Sequence, residues 1–150
     1  MGSRGLVAPQ RPKFATEYRS LVGGIAWVGP TARPDALHAN GICARAYTFS
    51  TVELYGCAVR ILLYLAETCD VGITFTAYAP DAGVLTAASD SDWHVTRSTS
   101  GGGLRFAGGC AHAVSRNQDS GSGSSAGAEI IAASSLCDDI AHPRVAFSAT

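Results

Sequence analysis

The chain has 150 residues, 47% of them hydrophobic and 15% charged, with a formal net charge of −1. That is enough apolar material for a packed core and too little charge for a disordered chain. The near-neutral balance excludes a bulk basic field of the kind that gathers nucleic acid, so such a partner would need a local arginine patch.

Residues 1–16 read as a disordered leader rich in Gly, Pro and Arg. It holds no long apolar stretch that would serve as a signal peptide. Position 6 is Leu, where a myristoylation pattern needs Ser or Thr, and no run of the chain reaches the length of a membrane span. The expectation is a soluble, intracellular protein. Cys43, Cys57, Cys69, Cys110 and Cys137 are odd in number and lack a CxxC pair, which fits reduced thiols. Cys110 and His112 can share a strand face, but two ligands do not make a zinc site.

Residues 17–70 read as a helical region. Thr16 is a candidate N-cap, followed at helical spacing by Tyr18, Leu21, Val22, Ile25 and Ala26, and Gly29–Pro30 stops the helix. Pro34 suits the first turn of a second helix through Ala36, Leu37, Gly41, Ile42 and Ala44–Ala46. Ser50 or Thr51 opens a third, with Val52, Tyr55, Val59, Leu62, Leu63 and Ala66 as its apolar stripe.

After Asp70 the period changes to two. Val71, Ile73 and Phe75 alternate with Gly72 and Thr74 as a strand, and a second strand over 84–89 ends at Asp90. Residues 103–107 and 109–115 read as a hairpin about Gly108–Gly109. A Gly/Ser link at 119–124 leads to a helix from about Ala126 to Ala141, ended by Pro143. The fold class is α+β: three helices, a meander of four antiparallel strands, and one helix. Residues 143–150 are a tail.

Several stretches together resemble one family. YRSLVGGIAWV at 18–28 with TARPDA at 31–36 resembles the segment after the polymerase core of copia-type LTR retrotransposon Pol proteins, which run YRSLVGSLLYL and then TRPD. RILLYLAETCDVGITF at 60–75 is similar to that family's RILRYLKGTKDLGLVY, and SDSDW at 89–93 to its SDADW. STSG at 98–101 is shared. SRNQ at 115–118 and SSAGAEIIAASSLC at 124–137 resemble its SSKKQ and SSTEAEYIALSEAC. The order is kept along roughly residues 17–142.

The resemblance implies a reverse transcriptase connection region over 17–70 and a partial ribonuclease H domain over 71–142. The reaction implied is hydrolysis of RNA in an RNA–DNA hybrid, which is the implied partner. Such chemistry uses two Mg²⁺ ions roughly 3.5–4 Å apart, held by carboxylates from separate elements. Carried over by position, the catalytic and metal-binding carboxylates are Asp90 and Glu129. The plainer reading of Glu129 is an acid favoured near a helix N-terminus. Asp92, one residue along the same strand face as Asp90, is explained by turn formation.

After Pro143 only RVAFSAT remains, which leaves no room for the family's fourth strand and its Asp. The expectation is a catalytically incomplete fragment, with residues 84–89 presenting an unpaired edge and marginal stability over 77–142. The alternative is a non-enzymatic remnant that binds nucleic acid or a protein partner. A third possibility, an unrelated small α+β domain, needs the motif order to be coincidence.

Overall fold

The computed structural model describes residues 14–148 apart from 79, 81 and 95, with side chains as far as residue 141. Residues 1–13 of the predicted leader lie outside these, and Ala15 already opens the first helix, α1 (Ala15–Thr31). Tyr18, Val22, Ile25 and Gly29 recur at spacings of four, three and four, and all are buried. Phe14, not Thr16, holds the N-cap position, and no side chain caps the helix there. At the other end the helix runs through Pro30 to Thr31. Gly29 allows the next segment to close in, since a Cβ there would fall 2.8 Å from Leu37 Cδ2.

A 3₁₀ turn, Pro34–Ala36, leads into α2 (Leu37–Ala44), with Pro34 at the first turn as its fixed φ favours. The third helix, α3 (Val52–Glu67), is capped by Thr51, whose Oγ1 accepts the Leu54 N–H at 3.3 Å. Tyr18, Val22, Cys43 and Ala58 form the core of this helical layer. Tyr47 packs edge-on against Tyr18, and Phe14 lies against Tyr55.

Three antiparallel strands follow in the order β1 (Thr86–Asp92), β2 (Thr99–Phe106) and β3 (Gly109–Asn117). The hairpin joining β2 and β3 turns on Ala107 (φ 48°) and Gly108 (φ 80°), the pair of positive φ values that a two-residue turn between twisted strands requires. The predicted strand at 71–75 does not form. Its backbone reaches the hairpin through Thr76, whose N–H donates to the Ala107 carbonyl at 2.8 Å. It passes close to Gly109 at the start of β3 without adding a strand to the sheet, and Val71 and Phe75 stay exposed. The observed strands also run further than expected: β1 continues through Asp90 to Asp92, and β2 begins at Thr99, inside STSG, rather than at residue 103.

Ser124 starts the last helix, α4 (Ser125–Ser148), by accepting the Gly127 N–H at 3.1 Å. The helix does not stop at Pro143, so most of the expected tail is helical. Proline lacks an N–H and leaves one upstream carbonyl without its helical bond, and a helix already several turns long propagates past that single loss.

Residues directly opposite in an antiparallel pair share a face. Asp90, Gly101 and Ser115 therefore lie on one face, and Ser89, Gly102 and Val114 on the other. The helix α4 packs on the second face, where a Cβ on Gly102 would sit 3.0 Å from Leu136 Cδ1. From the helical layer, α2 packs toward the first face, against β3. The sheet is thus the middle layer of an α+β domain, with helices from the two ends of the chain on either side.

Candidate functional site

Three places collect side chains able to do chemistry or to bind. The first is a cleft of about 390 Å³ between the start of α2 and the sheet, bordered by His38, Asp90, Asp92, Thr99 and Ser115. The two acids share the cleft because they alternate along β1. They differ in what they do. The Asp92 carboxylate accepts the Thr99 backbone N–H, which fastens the end of β1 to the start of β2. Asp90 is exposed, and its carboxylate makes no hydrogen bond or ion pair among the described residues. His38 Nδ1 stands 3.4 Å from Ser115 Oγ on the wall opposite β1.

Glu129, the other expected ligand, sits half-buried on α4, the helix that covers the opposite sheet face. It does not border the cleft that holds Asp90. Two oxygens that share a Mg²⁺ ion must both come within about 2.1 Å of it. A pair divided between the two faces does not fit that demand. Among the described residues no three His, Cys, Asp or Glu side chains gather as a metal-ligand group.

The face under α4 is structural. Arg116 Nη2 donates to Asp139 Oδ2 at 2.6 Å and to the Ser135 carbonyl at 3.2 Å, which ties β3 to the helix. His112 approaches the same carboxylate at 3.9 Å. Gln118 Nε2 donates to Ser100 Oγ and to the Ala128 carbonyl, which pins the first turn of α4. All five cysteines are free.

The third place lies in the helical layer. A groove of about 590 Å³ runs between α1 and α3, walled by Leu21, Ile25 and Val28 on one side and by Leu62 and Leu65 on the other. Glu17 borders it as well. Beside this groove, α3 turns a strip of apolar residues to water. Val52 is 67% exposed and Leu63 53%. These belong to the stripe predicted to face the core. Tyr55 of that stripe does pack against the core, where it is joined by Leu54, Ala58 and Ile61, at spacings of four and three. The sign was present in the sequence: α3 carries two apolar stripes, and the helical layer covers only one.

Among the described residues no helix is long and apolar enough to cross a membrane. No protein-family model matches the chain, and no solved structure matches it. A curated protein does: the secreted RxLR effector protein 161 of Plasmopara viticola, 31% identical over 105 residues that span 67% of this chain and 72% of that protein. This finding overturns the expected kinship with copia-type Pol proteins. The assignments that followed from it, reverse transcriptase connection region and ribonuclease H domain, fall with it. The chain belongs to the family of the secreted RxLR effector protein 161.

Proposed function

We propose that this chain is a secreted, non-enzymatic binding module that holds a partner protein in the groove between α1 and α3. The observation that carries the reading is the groove itself. Leu21, Ile25 and Val28 face Leu62 and Leu65 across an open, apolar trough between two helices, the setting in which an amphipathic helix lays down its own apolar face. Glu17 at the border favours an occupant with a basic residue at that point. Two further facts lean the same way. The formal net charge of −1 offers polyanions no general attraction. The family relative is described as secreted and as an effector, which supports a reading in which this chain too acts outside the cell of origin.

The test compares partner capture by the wild-type protein, Leu62→Asp and Asp90→Asn, using proximity labelling in cells exposed to each. Leu62 is 47% exposed, so the change leaves the core intact. A partner captured by wild type and by Asp90→Asn but lost with Leu62→Asp is the expected result. Capture that survives Leu62→Asp and disappears with Asp90→Asn would move the site to the sheet cleft and end this reading.

A further inference from the structure

The outer face of α3 is distinct from the groove and poses its own question. Numbered as a heptad, it places Val52, Val59 and Ala66 at one seam position and Gly56 and Leu63 at the other. Glu53, Arg60 and Glu67 then occupy the flanking position beside that seam. All three charged residues are exposed, and none has an ion-pair partner among the described residues. Gly56 sits mid-helix, where glycine weakens a helix relative to alanine. A Cβ added there would meet nothing within 4 Å, so the molecule's own packing gives no reason for a glycine. A backbone left bare at the centre of an apolar strip lets a second helix come close.

We propose that this face pairs with the same face of a second copy, the two α3 helices antiparallel about a two-fold axis between residues 56 and 57. The charges choose this alignment. In an antiparallel pair the flanking positions meet one another, and here Glu53 of each copy meets Arg60 of the other, twice over by symmetry. An alignment centred on the whole helix sets Arg60 against Arg60 and Glu53 close to Glu67, both repulsive. A parallel pair sets these charges opposite Tyr55 and Leu62 and gains no ion pair. An axis between residues 63 and 64 matches Arg60 to Glu67, but it overlaps only the C-terminal half of α3 and leaves Gly56 and Val52 uncovered. The chosen axis brings the glycines to the crossing point with Val52 and Val59 around them. It also carries Phe49, 80% exposed just before the helix, opposite the stretch holding Leu63. Leu62 stands at the other flank of this seam, while Leu65 and the α1 wall of the groove lie off it, and the pairing does not rest on the function proposed above.

The test is sedimentation velocity on the full chain from low micromolar to a few hundred micromolar. A concentration-dependent dimer is expected. Arg60→Glu alone and Glu53→Arg alone should each weaken it about tenfold or more, because like charges then face each other across a closed contact. The double variant Glu53→Arg/Arg60→Glu should restore it. Gly56→Leu should abolish the dimer while circular dichroism shows a helix content at least as high as wild type. A chain that stays monomeric over the whole range overturns the proposal. So does a double variant as weak as the single ones, or a dimer indifferent to Gly56→Leu.

Discussion

Tyr18 shows how one polar atom specifies a packing arrangement. Its ring is fully buried, and its hydroxyl donates to the Cys43 carbonyl at 2.6 Å, joining α1 to α2. Burial is the main reason that the phenol is pushed up to about 12 from its ordinary 10. The folded protein holds the neutral form, so this contribution is full below pH 10 and is lost as the pH climbs toward about 12. Tyr18→Phe should cost about 1–2 kcal/mol, one buried hydrogen bond and an orphaned carbonyl, and urea denaturation at neutral pH measures it. The residue was legible as core because Tyr18, Val22 and Ile25 keep helical spacing. Asp92 was legible as a holder of a turn. The hydroxyl's partner, twenty-five positions away, was not: nothing local in a sequence names a carbonyl on another helix. Nor did it show that Asp90 and Glu129 belong to different sheet faces, since that depends on register and on which face α4 covers.

Between elements, the 3₁₀ turn and the end of α3 are clamped by one buried guanidinium. Arg33 pairs with Asp35 at 2.8 Å and donates to Thr68 Oγ1 and the Thr68 carbonyl, with its guanidinium 5.1 Å from the centre of the Tyr64 ring. Tyr64 completes the ring of contacts by donating to Asp35 at 2.7 Å. The hydrogen bond from Arg33 is the largest reason that the Asp35 carboxyl lies at about 2, against an ordinary 3.8. A lowered acid stabilises the fold above its unfolded value and loses that contribution as pH falls through the folded one. Thermal midpoints should therefore decline between about pH 4 and pH 2, and Asp35→Asn should flatten that part of the profile while lowering the midpoint at neutral pH. At this scale the three helices were readable from periodicity, and the start of α3 from its Thr51 cap, whereas Thr16 was misread as the cap of α1. The hairpin turn was readable from its glycine. The strand at 71–75 was misread because alternation describes a side-chain pattern and does not by itself form ladder hydrogen bonds to a neighbour. The second stripe of α3 was overlooked because each stripe alone satisfies the helical period.

For the molecule as a whole, the middle layer depends on both outer ones. Leu136 on α4, 4% exposed, fills the space above Gly102 and Val114. Leu136→Ala should cost about 2–5 kcal/mol, the usual range for a buried leucine that leaves a cavity. Hydrogen exchange should show faster opening of β1 and β2 than of α1. Gly102→Ala alone should destabilise, because its Cβ would press on Leu136 Cδ1 at 3.0 Å. Combined with Leu136→Ala it should cost less than the sum, because the new methyl takes up vacated space. Additive costs in chemical denaturation would show that the two layers do not meet as described. The α+β class was readable from the order of periods along the chain, three helices before the strands and one after. The three-layer stacking was not, because helix and strand periods say which face is apolar but not which element arrives to cover it.

The Asp92 clasp on the Thr99 amide closes a short excursion of chain between two strands, with His94 and Arg97 carried on its outside. A peptide amide held by a carboxylate exchanges with solvent slowly only while the clasp is shut. That single amide therefore serves as a gauge: its protection reports whether the meander's first turn is made before the last helix, synthesised after it, arrives to seal the sheet.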